Sequence, residues 1–223
     1  MQLISIVFSF KNEEKNLPEL IERTAKCLSE LASWKYEMIF VNDCSTDKSE
    51  EILLKLQTKY PIRIINMSRN FGVGPCVLAG FKLAKGDAIV YIDSDLQDPP
   101  EIIKELVKEH ENGAEVVHTV RTKRLGESKI KMFLTLVAYK IINFFSDIPL
   151  HVNAGDFKLI SRKALDKILE LNEFRPYIRG LSVWVGYKQS KVHYVREPRS
   201  SSESNFSLFG SGPVNEFLTG ITA

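Results

Sequence analysis

Asp93 and Asp95 stand at i and i+2 in the run Asp93-Ser94-Asp95-Leu96-Gln97-Asp98. A hard divalent cation such as Mg2+ takes one or two carboxylates and fills its octahedron with water and phosphate oxygens. A cation held there acts as a Lewis acid on a leaving diphosphate. A pair of aspartates is also a common polar turn, so the neighbouring runs decide between the two. Asn12-Glu13-Glu14, Asn42-Asp43-Cys44-Ser45 and Ser68-Arg69-Asn70-Phe71-Gly72 each follow an apolar stretch. Gly72-Val73-Gly74 lacks the third glycine of a dinucleotide fingerprint, and no GxxxxGK[ST] loop is present. The phosphates of a nucleotide would therefore need the cation as their counter-charge.

These runs must be brought together by the elements that precede them. Leu3–Phe10, Tyr36–Val41, Ile62–Ile65, Ala88–Ile92 and Glu115–Val120 read as strands, the fourth as an apolar run typical of a buried parallel strand. Between them, apolar residues recur at helical spacing: Leu17, Leu20, Ile21 and Leu28, then Ile52, Leu53 and Leu56. Val77, Leu78 and Phe81 follow, then Ile102, Ile103, Leu106 and Val107. Asp47 and Asp98 suit helix N-caps, and Gly86 suits the C′ position of a helix. The alternation predicts an α/β fold, a mostly parallel sheet with helices on both faces. Ligands bind at the carboxyl ends of such strands, where the four polar runs lie. Further on, Ala164, Leu165, Ile168 and Leu169 predict a helix, and 180–187 and 192–195 predict strands, with Trp184 in the core.

Composition bounds the answer. The chain has 223 residues, 44% hydrophobic and 26% charged, which suits one globular domain and excludes a disordered or collagen-like chain. A net charge of +2 offers no global field for nucleic acid. The three cysteines, Cys27, Cys44 and Cys76, lack CxxC spacing and read as reduced thiols of a cytosolic-type compartment. The start, MQLISIVFSF, reads as a first strand rather than a leader. The segment 204–215 has no charge but is half polar, so it falls short of the roughly 20 apolar residues of a membrane span. Basic charge is local. Residues 121–140 carry Arg121, Lys123, Arg124, Lys129, Lys131 and Lys140 against Glu127 alone. An apolar stripe from Met132 to Phe145 suits either an interfacial or a core helix.

The runs SIVFSFKNEEKNL, FVNDCSTDKS, SRNFGVGPCVLAGFKLAKGDAIVYIDSDLQDPPE and NAGDFKLISRKALD resemble glycosyltransferase family 2, and within it the polyprenyl-phosphate (dolichyl-phosphate-type) glycosyltransferases of GT-A fold. The later FRPYIRGLSVWVGYKQSKVHYVREPRSSSESNFSLF resembles the same subgroup, so the likeness covers nearly the whole chain. It implies a single domain over 1–223. Residues 1–120 would form the nucleotide-sugar half, 121–200 the acceptor half, and 201–223 a flexible loop with a membrane-proximal tail.

Carried over position by position, the resemblance implies a role for each site residue. Ser9, Asn12 and Glu13 would lie at the donor nucleotide, and Asp43 would accept from its base or cap the following helix. Arg69 and Gly72 would flank the donor. Asp93, with Ser94 beside it, would meet the ribose or a metal-bound water. Asp95 would bind Mg2+ or Mn2+ with Gln97 as a further ligand, and Asp98 would serve mainly as a cap. Arg121 and Arg124, with Lys131 behind them, would hold a lipid phosphate through forked guanidinium contacts. Asp156 would be a base-like or acceptor-orienting residue, or would fix Arg121 or Arg124 by a salt bridge. Arg196 and Arg199 would touch the diphosphate.

The expected activity is inverting, metal-dependent transfer of a sugar from a UDP- or GDP-linked donor to a polyprenyl phosphate. It would take place at the cytoplasmic face of the cell membrane, with the protein peripheral or anchored by a C-terminal segment, and possibly homo-oligomeric. Two alternatives stand beside it: a family 2 enzyme acting on a saccharide hydroxyl, which needs a true base, and a non-catalytic nucleotide-sugar-binding relative.

Overall fold

A computed structural model describes residues 1–124, 154–171, 173 and 177–197, the side chains of Lys123, Arg124 and Ala154 excepted. Seven strands form one sheet: β1 (Gln2–Phe10), β2 (Trp34–Asn42), β3 (Ile62–Asn66), β4 (Ala88–Asp93), β5 (Val116–Arg124), β6 (Ala154–Ser161) and β7 (Gln189–Arg196). Their order is β3-β2-β1-β4-β6-β5-β7. The first four are mutually parallel, as is the β5–β7 pair, whereas β6 runs antiparallel to both β4 and β5. The helices among the described residues are α1 (Leu17–Ser29), α2 (Ser49–Leu56), α3 (Val73–Leu83), α4 (Ile103–Glu111), α5 (Arg162–Glu170) and α6 (Ile178–Trp184).

Strand side chains alternate between two cores. Ile4, Ile6, Phe8, Phe40, Val90, Ile92, Phe157 and Leu159 meet Leu17, Leu20 and Ile21 of α1, Leu53 of α2 and Leu106 of α4 on one face. Val7, Ile39, Val41, Ile89, Tyr91 and Ile160 meet Val77 and Phe81 of α3, Leu165 and Ile168 of α5 and Ile178 of α6 on the other. Phe8 and Phe40 stack with centroids 4.5 Å apart, a pairing that contributes about 1 kcal/mol beyond its buried area. Burial on both faces explains why β1 and β4 read as continuous apolar runs. Because α1 and α2 lie on one face and α3 on the other, the winding reverses between β1 and β4. A crevice opens at the carboxyl ends of the strands where such a reversal occurs.

Several expectations are corrected. Residues 154–161 form a strand that the sequence does not announce, and the expected strand over 180–187 is replaced by a helix over 178–184. Trp184, expected in the core, is 58% exposed. Gly86 is not a left-handed C′ residue. A Cβ there would lie 2.7 Å from Ser5 N and from Ala88 O, so glycine allows the turn before β4 to touch β1. Asp47, expected as the N-cap of α2, is not: Lys48 holds that position, and the Asp47 carboxylate accepts from the Ser49 N–H at the start of the helix and from the Glu14 N–H. The stripe 132–145, Lys129, Lys131, Arg199 and the tail 201–223 lie outside the described residues.

Candidate active site

The crevice is lined by the ends of β1 and β4. Ser9 Oγ lies 3.0 Å from the Tyr91 hydroxyl, which donates to Asp93 Oδ1 at 2.7 Å. Ser94 Oγ donates to the Ser9 carbonyl at 2.7 Å, fastening the Asp93-Ser94-Asp95 turn to β1. Asp95 Oδ1 accepts from the Gln97 N–H at 3.1 Å. Three non-glycine residues with positive φ follow β1, β2 and β4 in turn: Asn12 (57°), Cys44 (60°) and Leu96 (59°). Such conformations are costly and cluster at functional loops.

The end of β1 is tied to the end of β2. Asn12 Oδ1 accepts from the Thr46 N–H at 2.8 Å, and the Glu13 N–H donates to Ser49 Oγ at 2.9 Å. Glu13 Oε2 accepts from Asn16 Nδ2 at 2.6 Å. Asp43, buried at the end of β2, accepts from Asn70 Nδ2 at 2.5 Å, from Phe71 N at 2.6 Å and from Gly72 N at 2.9 Å. Asp43 thus organises the turn before α3, whereas the expected capping role was at α2. Gly72 takes φ 88° at the N-cap of α3 with open space beside its Cα. The Arg69 guanidinium lies 3.9 Å from the Phe71 ring centroid.

Asp98 is fully buried and is not a helix cap; Pro99 holds the cap position of the turn Pro100–Ile102. The Tyr194 hydroxyl donates to Asp98 Oδ1, and Arg121 Nη2 donates to Oδ2 at 3.3 Å. Arg121 Nε also donates to the Tyr194 hydroxyl at 3.0 Å. Arg196 Nε lies 3.3 Å from Asp98 Oδ1, and its Nη2 is 4.0 Å from Asp95 Oδ2. The Glu197 N–H donates to the Gln97 carbonyl at 2.9 Å. One buried carboxylate therefore accepts from the Arg121 guanidinium of β5 and attracts that of Arg196 on β7, whose Nε makes no hydrogen bond, beside the turn that carries Asp95. Gly155 leaves room for Arg121: a Cβ there would sit 3.2 Å from Arg121 Nη2.

Asp156 stands on β6 next to β4. The antiparallel ladder ends with Tyr91 opposite Lys158, and just beyond it Asp93 and Asp156 are close enough for their charges to interact. Asp156 does not pair with Arg121. Arg179 of α6 grips it with both edges of the fork, Nε to Oδ1 at 2.7 Å and Nη2 to Oδ2. Burial pushes the Asp156 carboxyl up, but Arg179 and the nearby charges of Lys158 and Arg121 outweigh it and hold the group below the ordinary carboxylate range. Asp93 goes the other way: burial, then the charges of Asp156, Asp98 and Asp95, raise it.

Among the described residues, no group of three or more His, Cys, Asp or Glu side chains is placed to hold a metal ion. A protein-only cage is therefore not built here. The donor set instead fits a cation completed by substrate phosphates, since that mode needs only one or two carboxylates. Burial is the largest cause of the rise at Asp93, and the neighbouring carboxylate charges add a part that a bound cation would relieve.

A family model described as Glycosyl transferase family 2 matches residues 5–169. The chain belongs to this family. As a family 2 glycosyltransferase it is 42% identical over 205 residues to the uncharacterized glycosyltransferase YkcC of Bacillus subtilis (strain 168), covering 92% of this chain and 63% of that one. It is 36% identical over 221 residues to a prophage bactoprenol glucosyl transferase homolog of Escherichia coli (strain K12), covering 99% and 71%. The chain thus spans less than two thirds of the Bacillus relative's length. Among solved structures, it resembles a mannosyltransferase from Pyrobaculum calidifontis in complex with GDP-Man and Mn2+. The TM-score is 0.63 at 16% identity, over 90% of this chain and 57% of that one, a likeness of fold. The sheet of this family 2 glycosyltransferase is the GT-A arrangement that its sequence motifs imply.

The structure gathers Ser9, Asp93, Ser94, Asp95, Gln97, Arg121 and Asp156 around the β1–β4 crevice. Asn12, Glu13, Asp43, Arg69 and Gly72 form its β1–β3 side. Arg124 ends β5, opposite Arg196 in the ladder, and its side chain lies outside what is described. The sequence reading missed Tyr91, Lys158, Arg179 and Tyr194. Lys158 was signalled by a lone lysine in the apolar run Phe157-Lys-Leu-Ile160, since a charge in such a run needs a partner.

Proposed function

We propose that this family 2 glycosyltransferase moves a sugar from a nucleoside-diphosphate donor to a polyprenyl phosphate, inverting the anomeric centre, at the cytoplasmic membrane face. The name of the E. coli relative supports the lipid class. The observation that carries the reading is the forked Asp156–Arg179 pair. A carboxylate held ionised by a guanidinium on both oxygens is a poor proton acceptor, and a saccharide hydroxyl needs a good one. A phosphate monoester has a second pKa near 6 and is already a nucleophile at neutral pH.

In this mechanism a phosphate oxygen forms the new bond to the anomeric carbon. The bond to the donor diphosphate breaks, and the diphosphate leaves with the electron pair. No proton has to move. Asp93 and Asp95, with Gln97, would hold Mg2+ or Mn2+, which when bound supplies charge neutralisation at the leaving diphosphate. Arg121, fixed by Asp98 and Tyr194, presents its remaining guanidinium edge to the acceptor phosphate. Asp156, a fixed anion across from Asp93, stabilises the positive charge that develops at the anomeric carbon. The excess of basic residues over 121–140 in the sequence suits a phosphate-bearing lipid. No helix among the described residues is long and apolar enough to cross a membrane.

The test offers three acceptors, a polyprenyl phosphate, the polyprenol of equal chain length and a free saccharide, to the protein and to Asp156→Asn. The proposal expects product from the phosphate alone and residual turnover in the variant. Transfer to the free alcohol or to a saccharide, abolished by Asp156→Asn, would overturn it.

A further inference from the structure

Asp156 and Lys158 lie at i and i+2 on β6, on the same face. Arg179 and Ser182 lie at i and i+3 on α6, packed against that face. The two pairs close into a ring. Arg179 holds Asp156 through both carboxylate oxygens. Ser182 Oγ donates to the Arg179 carbonyl at 2.9 Å and accepts from Lys158 Nζ at 3.0 Å. Lys158 and Ser182 are buried, 1% and 0% exposed, whereas the Arg179 and Asp156 side chains are 26% and 27% exposed. The inner half of the ring is structural, and the outer half is open to a ligand.

A helix of seven residues has little stability of its own. This one is held from its C-terminal end as well. Gln189 Nε2 of β7 donates to the carbonyls of Ser182, Val183 and Gly186 at 3.3, 3.0 and 2.8 Å. Gln189 Oε1 in turn meets His118 Nε2 at 2.8 Å. These contacts leave α6 little freedom to rotate, so the Arg179 fork meets Asp156 in one orientation. The forked pair sets both the charge and the direction of the carboxylate that faces Asp93. Arg179 lies beyond residues 5–169, the segment matched by the family model.

We infer that Arg179 is a positioning residue for Asp156, its own place set by the Lys158–Ser182 contact on β6. The inference rests on the transfer reaction proposed above. Its consequence is that Arg179 and Asp156 act as one unit in the chemical step, while donor binding on the β1–β3 side does not depend on them.

The test is a double-mutant cycle on the full chain. It uses Asp156→Asn, Arg179→Met, the double variant and Arg179→Lys, with kcat and KM measured for donor and acceptor. Thermal shift by nucleoside diphosphate with Mn2+ reports folding and the donor site. Arg179→Met is expected to lower kcat by on the order of tenfold or more with the donor KM little changed. The double variant is expected to match the slower single variant within about twofold. Arg179→Lys, which keeps the charge and loses the fork, is expected to recover part of kcat. Losses that multiply in the double variant, or an unchanged kcat in Arg179→Met, would overturn the inference. Should Arg179→Met fail to fold, a wild-type kcat in Arg179→Lys would overturn it equally. Turnover on a saccharide hydroxyl in place of the lipid phosphate sinks the proposed function separately, because the cycle reads on whichever transfer occurs.

Discussion

The Tyr91 hydroxyl links two strands of the site: it donates to Asp93 Oδ1 at 2.7 Å and meets Ser9 Oγ of β1 at 3.0 Å. Tyr91 is 1% exposed, so its hydroxyl has no water to fall back on. Removing one partner of a buried hydrogen bond costs about 1–3 kcal/mol. Tyr91→Phe is therefore expected to lower the unfolding free energy by about that amount. It also frees the Asp93 carboxylate to turn, and Mn2+-dependent nucleotide binding, read by calorimetry, is expected to weaken several-fold. Unchanged binding would show that Asp93 is oriented by other contacts.

Asp98 carries a larger share of the stability. It is buried with Tyr194, Arg121 and Arg196 around it, and neutralising it strands two guanidiniums. Breaking a buried ion pair by removing one partner costs about 3–5 kcal/mol. Asp98→Asn is expected to lose stability on that scale in urea denaturation, and Tyr194→Phe about 1 kcal/mol. Equal effects from the two would mean that the hydroxyl, not the ion pairs, dominates.

Lys158 gives stability a pH dependence. Burial lowers its ammonium from 10.5 to about 8, against the opposing pull of Asp156 and with a further push from Arg179. Between those two values the unfolded chain binds more protons than the folded one, so stability from this group rises with pH across the window. Below pH 8 the folded state carries the full cost of the buried charge. Relative to Lys158→Met, the wild type is expected to gain on the order of 2–3 kcal/mol between pH 7.5 and pH 10.5. Parallel urea-denaturation profiles for the two proteins would contradict this.

The doubly wound half was legible in the sequence because its strands are buried on both faces and its helices are amphipathic. The Asp93-Ser94-Asp95 turn could be placed at a strand end for the same reason. The side built by β6 and α6 was not legible. In β6, alternate positions carry Asp156 and Lys158, so the apolar signal of a strand is broken where the site needs charge. In 180–187, Leu181, Val183 and Val185 alternate as in a strand, yet 178–184 is helical, with Ser182 and Gln189 holding it in place. Periodicity carries no information about contacts made across more than 20 residues of chain. The pairing of Asp156 with Arg179, and of Asp98 with Arg121, is of that kind.

The pH profile of transfer separates the nucleophile from the protein. Asp156 stays ionised through neutral pH, so it contributes no limb of its own. The proposed acceptor, a phosphate monoester, becomes a dianion above a pKa near 6. At saturating Mn2+, kcat/KM is expected to rise about tenfold per pH unit below 6 and to level off above it. Asp156→Asn is expected to keep that limb in place. A limb that disappears in this variant would make Asp156 a general base.

The central claim is metal-dependent transfer to a lipid phosphate. It is tested most directly by incubating the protein with a panel of UDP- and GDP-sugars, a short polyprenyl phosphate and Mn2+, with an EDTA control, and analysing the lipid product. The account predicts one donor that yields a sugar linked to the lipid phosphate, with the anomeric configuration inverted, and no product after chelation. Product formed equally in EDTA, or retention of configuration, would contradict it.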